Sequence, residues 1–227
     1  MITTVVFDLD DTLYDEVDYC RSGFAAVADF LAAQPDTCPA EQIFTALWNQ
    51  FSAGNRTKTF NAALEELGIS YDDKVITELI KVYRNHTPKI ILPAETRDIL
   101  NKLSGKYTLA LLTDGFLPAQ QLKVQALGIE PYLKSIIYTE LLGREFWKPS
   151  HHPFEMLVQE LNTKPQTCAY VADNEKKDFI APNELGFLTV QLIRPARLHT
   201  ESSGRPNAHA QHVIHKFSQL PQILENF

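Results

Sequence analysis

From Tyr107 onward, short runs rich in branched apolar residues alternate with segments of helical period, and this alternation leaves little choice of fold. Residues 107–112, 135–138, 168–172, 187–192 and 212–215 read as strands. Between them, residues 119–127, 153–161 and 176–185 carry helical spacing. The first of these is closed by Gly128 and the last by Gly186, with Pro182 inside it, and a short helix follows from Gln219. Strands joined through helices pair in parallel, so the expected product is an α/β fold: a Rossmann-like parallel sheet with helices on both faces.

The amino-terminal run of Ile2, Val5, Val6 and Phe7 adds a strand of the kind buried on both faces at the centre of such a sheet. The texture then changes. From Glu16 to about Asn85 the apolar residues fall at helical spacing: Val17, Cys20, Phe24, Val27 and Leu31, then Phe44, Leu47 and Phe51, then Phe60, Leu64 and Leu67, then Leu79 and Val82. Pro35, Pro39, Gly54 and Gly68 punctuate a block of about four helices with no strand in it, and Pro88 and Pro93 around Ile90-Ile91-Leu92 mark the return. The expected organisation is an α/β core from residues 1–14 and 88–227, with a helical cap, residues 15–87, inserted after the first strand. There it adjoins that strand's carboxyl end and is placed to act as a lid. The polar stretch from Arg194 to Ala210 reads as a surface loop.

Composition narrows the partners. Of 227 residues, 44% are hydrophobic and 22% charged, as in soluble globular proteins. The net charge of −7, from 21 basic and 28 acidic residues, argues against a nucleic-acid polymer as partner. An anionic small molecule would need local positive charge from a metal ion, a few Lys or Arg side chains or a helix N-terminus. No run of 18 apolar residues suggests a membrane span, and the first residues lack a signal-peptide pattern. Cys20, Cys38 and Cys168 are too few and too scattered for a disulfide framework, and fit a reducing compartment. A cytoplasmic monomer or homodimer is expected.

The chemistry is carried by strand ends. The first strand stops at Asp8-Leu9-Asp10-Asp11-Thr12, two carboxylates placed two residues apart. In open α/β sheets ligands bind at the carboxyl edge, and paired carboxylates there repel unless a cation is shared or their protonation states diverge. A hard divalent ion such as Mg²⁺, with its few oxygen ligands plus a substrate phosphate, answers the first condition. An Asp-rich turn is the plainer alternative. The second strand ends at Thr113-Asp114-Gly115, where Thr113 could donate to a phosphate oxygen and Asp114 flanks the same position, although such a sequence is commonly just a turn. Lys148, after Phe146-Trp147, reads as a solvated side chain, as a stem packed on the rings, or as a point charge for a carboxylate and a phosphate. Ala169–Ala172 ends at Asp173, with Asp178 five residues on, and Asp173 could equally cap a helix.

In order and rough spacing, the four motifs Asp8-x-Asp10-x-Thr12, Thr113, Lys148 and Asp173-x4-Asp178 resemble those of the haloacid dehalogenase superfamily of hydrolases, and the helical block resembles that family's cap of the first type. The resemblance covers essentially the whole chain. It implies that Asp8 is the nucleophile forming an aspartyl-phosphate and that Asp10 is the general acid and then the base. Mg²⁺ would be held by the Asp8 carboxylate, the Asp10 backbone carbonyl and Asp173. Asp178 and Thr12 would support that shell, and Thr113, Asp114 and Lys148 would serve the substrate. Ala172 stands where the family often has Gly, and His151 where it often has Pro; neither removes a reactive group.

The expected activity is a Mg²⁺-dependent phosphomonoester hydrolase acting on a small phosphorylated metabolite, a nucleoside monophosphate (a nucleotidase) or a sugar phosphate. A phosphosugar mutase would keep the same groups. A 2-haloacid dehalogenase would have no use for Asp10 or a metal, and a non-catalytic scaffold would have no use for the intact set. Within the cap, Arg56 or Lys58 in Gly54–Lys58 could meet a second anionic group, although a basic loop is commonly just solvated. Tyr14 and Asp15 lie at the hinge. His209, His212 and His215 recur at intervals of three, but a strand would turn His212 and His215 to opposite faces, so no metal role is assigned to them.

Overall fold

The computed structural model describes residues 1–35 and 37–227. The opening strand β1 (Thr4–Phe7) is followed by four helices, α1 (Glu16–Ala32), α2 (Ala40–Ser52), α3 (Thr59–Glu66) and α4 (Asp73–Asn85). Their apolar stripes converge on one cluster built from Phe24, Val27 and Leu31 of α1, Ile43 and Leu47 of α2, Leu64 of α3 and Leu79 of α4. Each stripe alone would face water, so the four helices bury it on one another. The start of α4 is fixed by Asp72, whose carboxylate accepts from the backbone N–H of Lys74 and Val75.

After the helical block come α5 (Ala94–Ser104), β2 (Thr108–Thr113), α6 (Ala119–Leu127), β3 (Ser135–Tyr138), α7 (His152–Glu160), β4 (Cys168–Ala172), α8 (Ile180–Leu185), β5 (Leu188–Leu192), β6 (His212–Ile214) and α9 (Leu220–Glu225). The six strands form one sheet in the order β3-β2-β1-β4-β5-β6, and every pair is parallel. Alternate residues serve opposite faces. Val5, Phe7, Leu109, Leu111, Ala169 and Val171 face one core layer; Val6, Ala110, Leu112, Tyr170 and Ala172 face the other. Both faces are therefore covered, as the continuous apolar runs require. Among the described residues no helix is long and apolar enough to cross a membrane.

Two elements differ from the sequence reading. Helix α5 lies where the spacing above assigns nothing. Its core stripe of Thr96, Ile99, Leu100 and Leu103 is short and begins on a threonine, so the period is weak. Helix α8 starts at Ile180, not Lys176. Residues 174–178 form a turn in which the Asp178 carboxylate accepts from the Asn174 N–H at 2.9 Å, and the Lys177 and Asp178 N–H groups donate to the Asn174 carbonyl. The late start also accounts for Pro182. It is the third helical residue, where an N–H would have no intrahelical partner to lose. Gly128, at φ 62°, takes the left-handed position that ends α6.

Candidate active site

The strand order reverses at β1, which lies between β2 and β4, and the crevice outside the carboxyl ends of these three strands is the topological switch point. Asp8 follows β1 directly, Thr113 is the last residue of β2, and Asp173 follows β4. The Asp8 N–H donates to the Val171 carbonyl at 2.9 Å, carrying the sheet register into the site. The chain then turns at Asp11, a left-handed residue (φ 54°). Such a conformation is tolerable for Asp where its side chain is bonded locally, and here its carboxylate accepts from the N–H groups of Glu16 and Leu198.

Lys148 is the central charge. Its side chain is fully buried, and its ammonium lies 2.7 Å from both Asp8 Oδ1 and Asp178 Oδ1 and 3.0 Å from the Tyr170 hydroxyl. Burial works against that charge, but Asp178 and Asp8 outweigh it and hold the lysine well above its usual range. The side chain is thus not solvated, and its ammonium is a point charge between two carboxylates. Asp8 is pushed up to about 6 by burial, with Lys148 opposing.

Carboxylate oxygens of Asp8, Asp173 and Asp178 all lie within 4.8 Å of one another. Asp178 Oδ2 accepts from the Asn174 N–H, and its Oδ1, buried without a hydrogen bond, is ion-paired with the Lys148 ammonium. Asp173 Oδ2 is buried with no hydrogen-bond partner among the described residues, and burial together with Asp178 and Asp8 pushes the group up to about 9. An unpaired oxygen among crowded carboxylates is what a divalent cation would relieve, and the all-oxygen donor set suits Mg²⁺. The residues present therefore fit the ion. The Asp10 carboxylate stands outside this cluster, so Asp10 has only its backbone carbonyl to offer there.

The Asp10 side chain is instead gripped from α6 and the hinge. Lys123 Nζ lies 2.8 and 2.9 Å from its two oxygens, Gln120 Nε2 donates to Oδ2 at 2.9 Å, and the Tyr14 hydroxyl donates to Oδ1. Burial would raise this carboxyl, but Lys123 reverses the shift and holds it below the usual range. Gln120 also donates to Thr113 Oγ1 at 2.7 Å and the Asp114 carbonyl at 3.0 Å.

Other expected residues have different surroundings. Both oxygens of Asp114 are engaged within the protein, by Thr139 Oγ1 (2.8 Å) and the Lys148 N–H (3.2 Å) on one side and by Lys177 Nζ (2.8 Å) on the other. Thr12 is buried, and its backbone carbonyl accepts from Arg194. The Arg56 guanidinium donates to the Leu198 carbonyl at 2.6 Å and sits over the Phe51 ring, tying the helical block to the loop after β5. Arg56 nonetheless lines the cavity of about 510 Å³ that opens above Asp8, along with Phe24, Phe60, Tyr83, Lys177 and His199.

Sequence reasoning passes over Lys123, Gln120, Lys177 and Glu16. The first two leave a trace: Gln120 and Lys123 share the buried face of α6 with Val124 and Leu127, at a spacing reserved for core residues. Lys177 leaves none, since its neighbour Lys176 is an exposed partner of Glu201 and nothing in a Lys-Lys pair marks which one turns inward. Glu16, also on the cavity wall, is pushed up to about 8 by burial and the nearby Asp10 charge.

Known proteins resemble this chain over nearly its whole length. The chain is 27% identical over 231 residues to glyceraldehyde 3-phosphate phosphatase of Methanocaldococcus jannaschii, covering 100% of this chain and 98% of that one. It is 23% identical to N-acylneuraminate-9-phosphatase of Mus musculus, covering 99% and 94%. Among solved structures, HAD-hydrolase YfnB of Bacillus subtilis, bound to magnesium, superposes with a TM-score of 0.68 at 20% identity, covering 98% of each chain. The model of the haloacid dehalogenase-like hydrolases matches residues 2–186, and with that span this chain belongs to the haloacid dehalogenase-like hydrolase family.

Proposed function

We propose that this hydrolase is a Mg²⁺-dependent phosphatase of small phosphate monoesters, sugar phosphates among them, working through an aspartyl-phosphate on Asp8. The observation that carries this reading is the unpaired Asp173 oxygen beside an Asp8 carboxylate already balanced by Lys148. The names of the curated relatives, phosphatases of glyceraldehyde 3-phosphate and of N-acylneuraminate 9-phosphate, support it. The Asp8 carboxylate, the Asp173 carboxylate and the Asp10 backbone carbonyl would hold Mg²⁺, which when bound supplies positive charge against the phosphoryl oxygens.

In the first step an Asp8 oxygen attacks phosphorus, the bond to the leaving oxygen breaks, and Asp10, which must enter the step carrying a proton although Lys123 holds its carboxyl low in the free protein, gives that proton to the leaving oxygen. In the second, Asp10 takes a proton from water as the water attacks phosphorus and releases the Asp8 carboxylate with inorganic phosphate. Lys148 and the Thr113 hydroxyl bind the phosphoryl oxygens, and the ammonium holds Asp8 in line. The helical block closes over the leaving group. The test is a panel of phosphorylated sugars, sugar acids and nucleosides assayed for released phosphate with and without Mg²⁺. Release from none of them would refute the reading, and isomerisation of a hexose phosphate without release would replace it with a mutase.

A second expected result concerns the ion. In the metal-free protein the raised Asp173 pKa means that the folded state takes up its proton more readily than the unfolded state. That contribution to stability is complete below about 3.8 and is lost as pH rises through about 9. Mg²⁺ must displace the proton, so it binds better as pH rises. Saturating Mg²⁺ should raise the melting temperature by about 5–10 °C at pH 8 and by distinctly less at pH 6, and Asp173→Asn should lose the increment. Melting curves with Mg²⁺ or EDTA at the two pH values check this; an equal shift in Asp173→Asn would exclude Asp173 as a ligand.

A further inference from the structure

We propose that Lys123, with Gln120, is the positioning device for the proton-transfer carboxylate: it fixes Asp10 through two short contacts and couples it to the phosphate-binding hydroxyl of Thr113. This rests on the acid-base role given to Asp10 above.

The geometry is specific. Lys123 is 4% exposed, a lysine on the core face of α6. Its ammonium reaches both Asp10 oxygens, at 2.8 and 2.9 Å, and lies 4.2 Å from the centre of the Tyr19 ring, whose face favours a cation. A buried lysine needs a carboxylate partner, and among the described residues the hydrogen bonds of this one go to Asp10. Three donors, Lys123, Gln120 and Tyr14, leave the carboxylate little rotational freedom.

Gln120 supplies the coupling. One side-chain nitrogen faces Asp10 Oδ2, Thr113 Oγ1 and the Asp114 carbonyl within 3.0 Å. A shift of Thr113 around a phosphate is thereby felt at Asp10. The backbone is shaped around this contact: Gly115 sits at φ +141°, and a Cβ there would come within 2.7 Å of the Gln120 side chain. A side chain at position 115 would be strained at that φ and would press on Gln120.

Lys123 does not belong to the phosphate, the cation or the nucleophile, so its removal has a signature of its own. In a double-displacement reaction kcat/KM reports steps up to departure of the leaving group, and only poor leaving groups need a proton from Asp10. The experiment measures kcat/KM across phosphate monoesters running from p-nitrophenyl phosphate to alkyl phosphates, for the wild type, Lys123→Met, Lys123→Arg, Asp10→Asn and Asp10→Asn/Lys123→Met.

Lys123→Met should lose about 100-fold on alkyl esters, within the range that proton transfer supplies, and less than about fivefold on p-nitrophenyl phosphate. Lys123→Arg should recover most of the loss, and the double variant should be no worse than Asp10→Asn alone. An equal loss for every ester, a loss that adds to that of Asp10→Asn, or a Lys123→Met enzyme faster than the wild type would each overturn the proposal. If Lys123→Met fails to fold, Gln120→Met is held to the same leaving-group criterion. An Asp10→Asn enzyme with no leaving-group dependence would instead overturn the acid-base reading itself, whatever Lys123 does.

Discussion

Asp8→Asn should lower kcat by about 10⁴-fold or more while leaving the melting temperature within a few degrees of the wild type. The two halves of this expectation come from the same contacts. An asparagine carbonyl oxygen can still accept from Lys148 at the position of Asp8 Oδ1, and Lys148 keeps its second carboxylate, Asp178, at 2.7 Å. No buried charge is left alone, so the large destabilisation that follows breaking a buried pair is avoided. Removing one negative charge from the cluster of Asp8, Asp173 and Asp178 also eases their mutual repulsion. What disappears is nucleophilicity, because an amide oxygen does not form a stable bond to phosphorus. Thermal melting, steady-state phosphate release and acid-quench trapping of phosphorylated protein check it. Turnover retained within tenfold would remove Asp8 as the nucleophile, and a collapse in melting temperature would show that its charge is structural.

Much of this site is readable from residues alone, and what is not has a common cause. Strand ends advertise themselves: an apolar run that stops at Asp8, at Thr113 or at Asp173 places each of those groups on one sheet edge before any coordinates are known. The helical block is equally plain, since amphipathic period repeats over four helices. The period fails where an element is short or its core face is polar, as in α5 with Thr96 and in α8, whose start is displaced by the turn around Asp178. It fails for a different reason at Asp114, Lys123 and Lys177. Their roles depend on which partner from a distant strand or loop meets them. Asp114 meets Lys177, 63 residues on, and Asp10 meets Lys123, 113 residues on. A charged residue in sequence is by default a solvated one; the core spacing of Lys123 on α6 hints at its burial, but only tertiary contact shows what these residues pair with.

Lys148→Met should destabilise the protein by about 3–5 kcal/mol at pH 8 in the absence of Mg²⁺, by clearly less at pH 5, and should abolish detectable turnover at both. Methionine fills much of the volume of the lysine stem, so the loss is one of charge. With Lys148 gone, Asp8 and Asp178 lose the ammonium that each touches at 2.7 Å, and Asp173, already pushed up to about 9, is left with two like charges and no cation among these contacts. Asp8 stands near 6 even with Lys148 opposing the effect of burial; without it the carboxyl moves higher. A carboxyl whose folded pKa is raised stabilises the fold below its unfolded value, near 3.8, and loses that contribution as pH climbs through the folded pKa. At pH 5 Asp8 and Asp173 hold their protons and the penalty shrinks, whereas at pH 8 Asp8 is forced toward charge. Mg²⁺ should restore part of the stability at pH 8, because a dication supplies the missing counter-charge. It should not restore turnover, since no group then holds Asp8 in line with phosphorus. Urea unfolding at the two pH values, with Mg²⁺ or EDTA, separates these effects. A loss below about 1 kcal/mol that ignores both pH and Mg²⁺ would mean that Lys148 behaves as a surface charge, and the electrostatic account of the site would have to be abandoned.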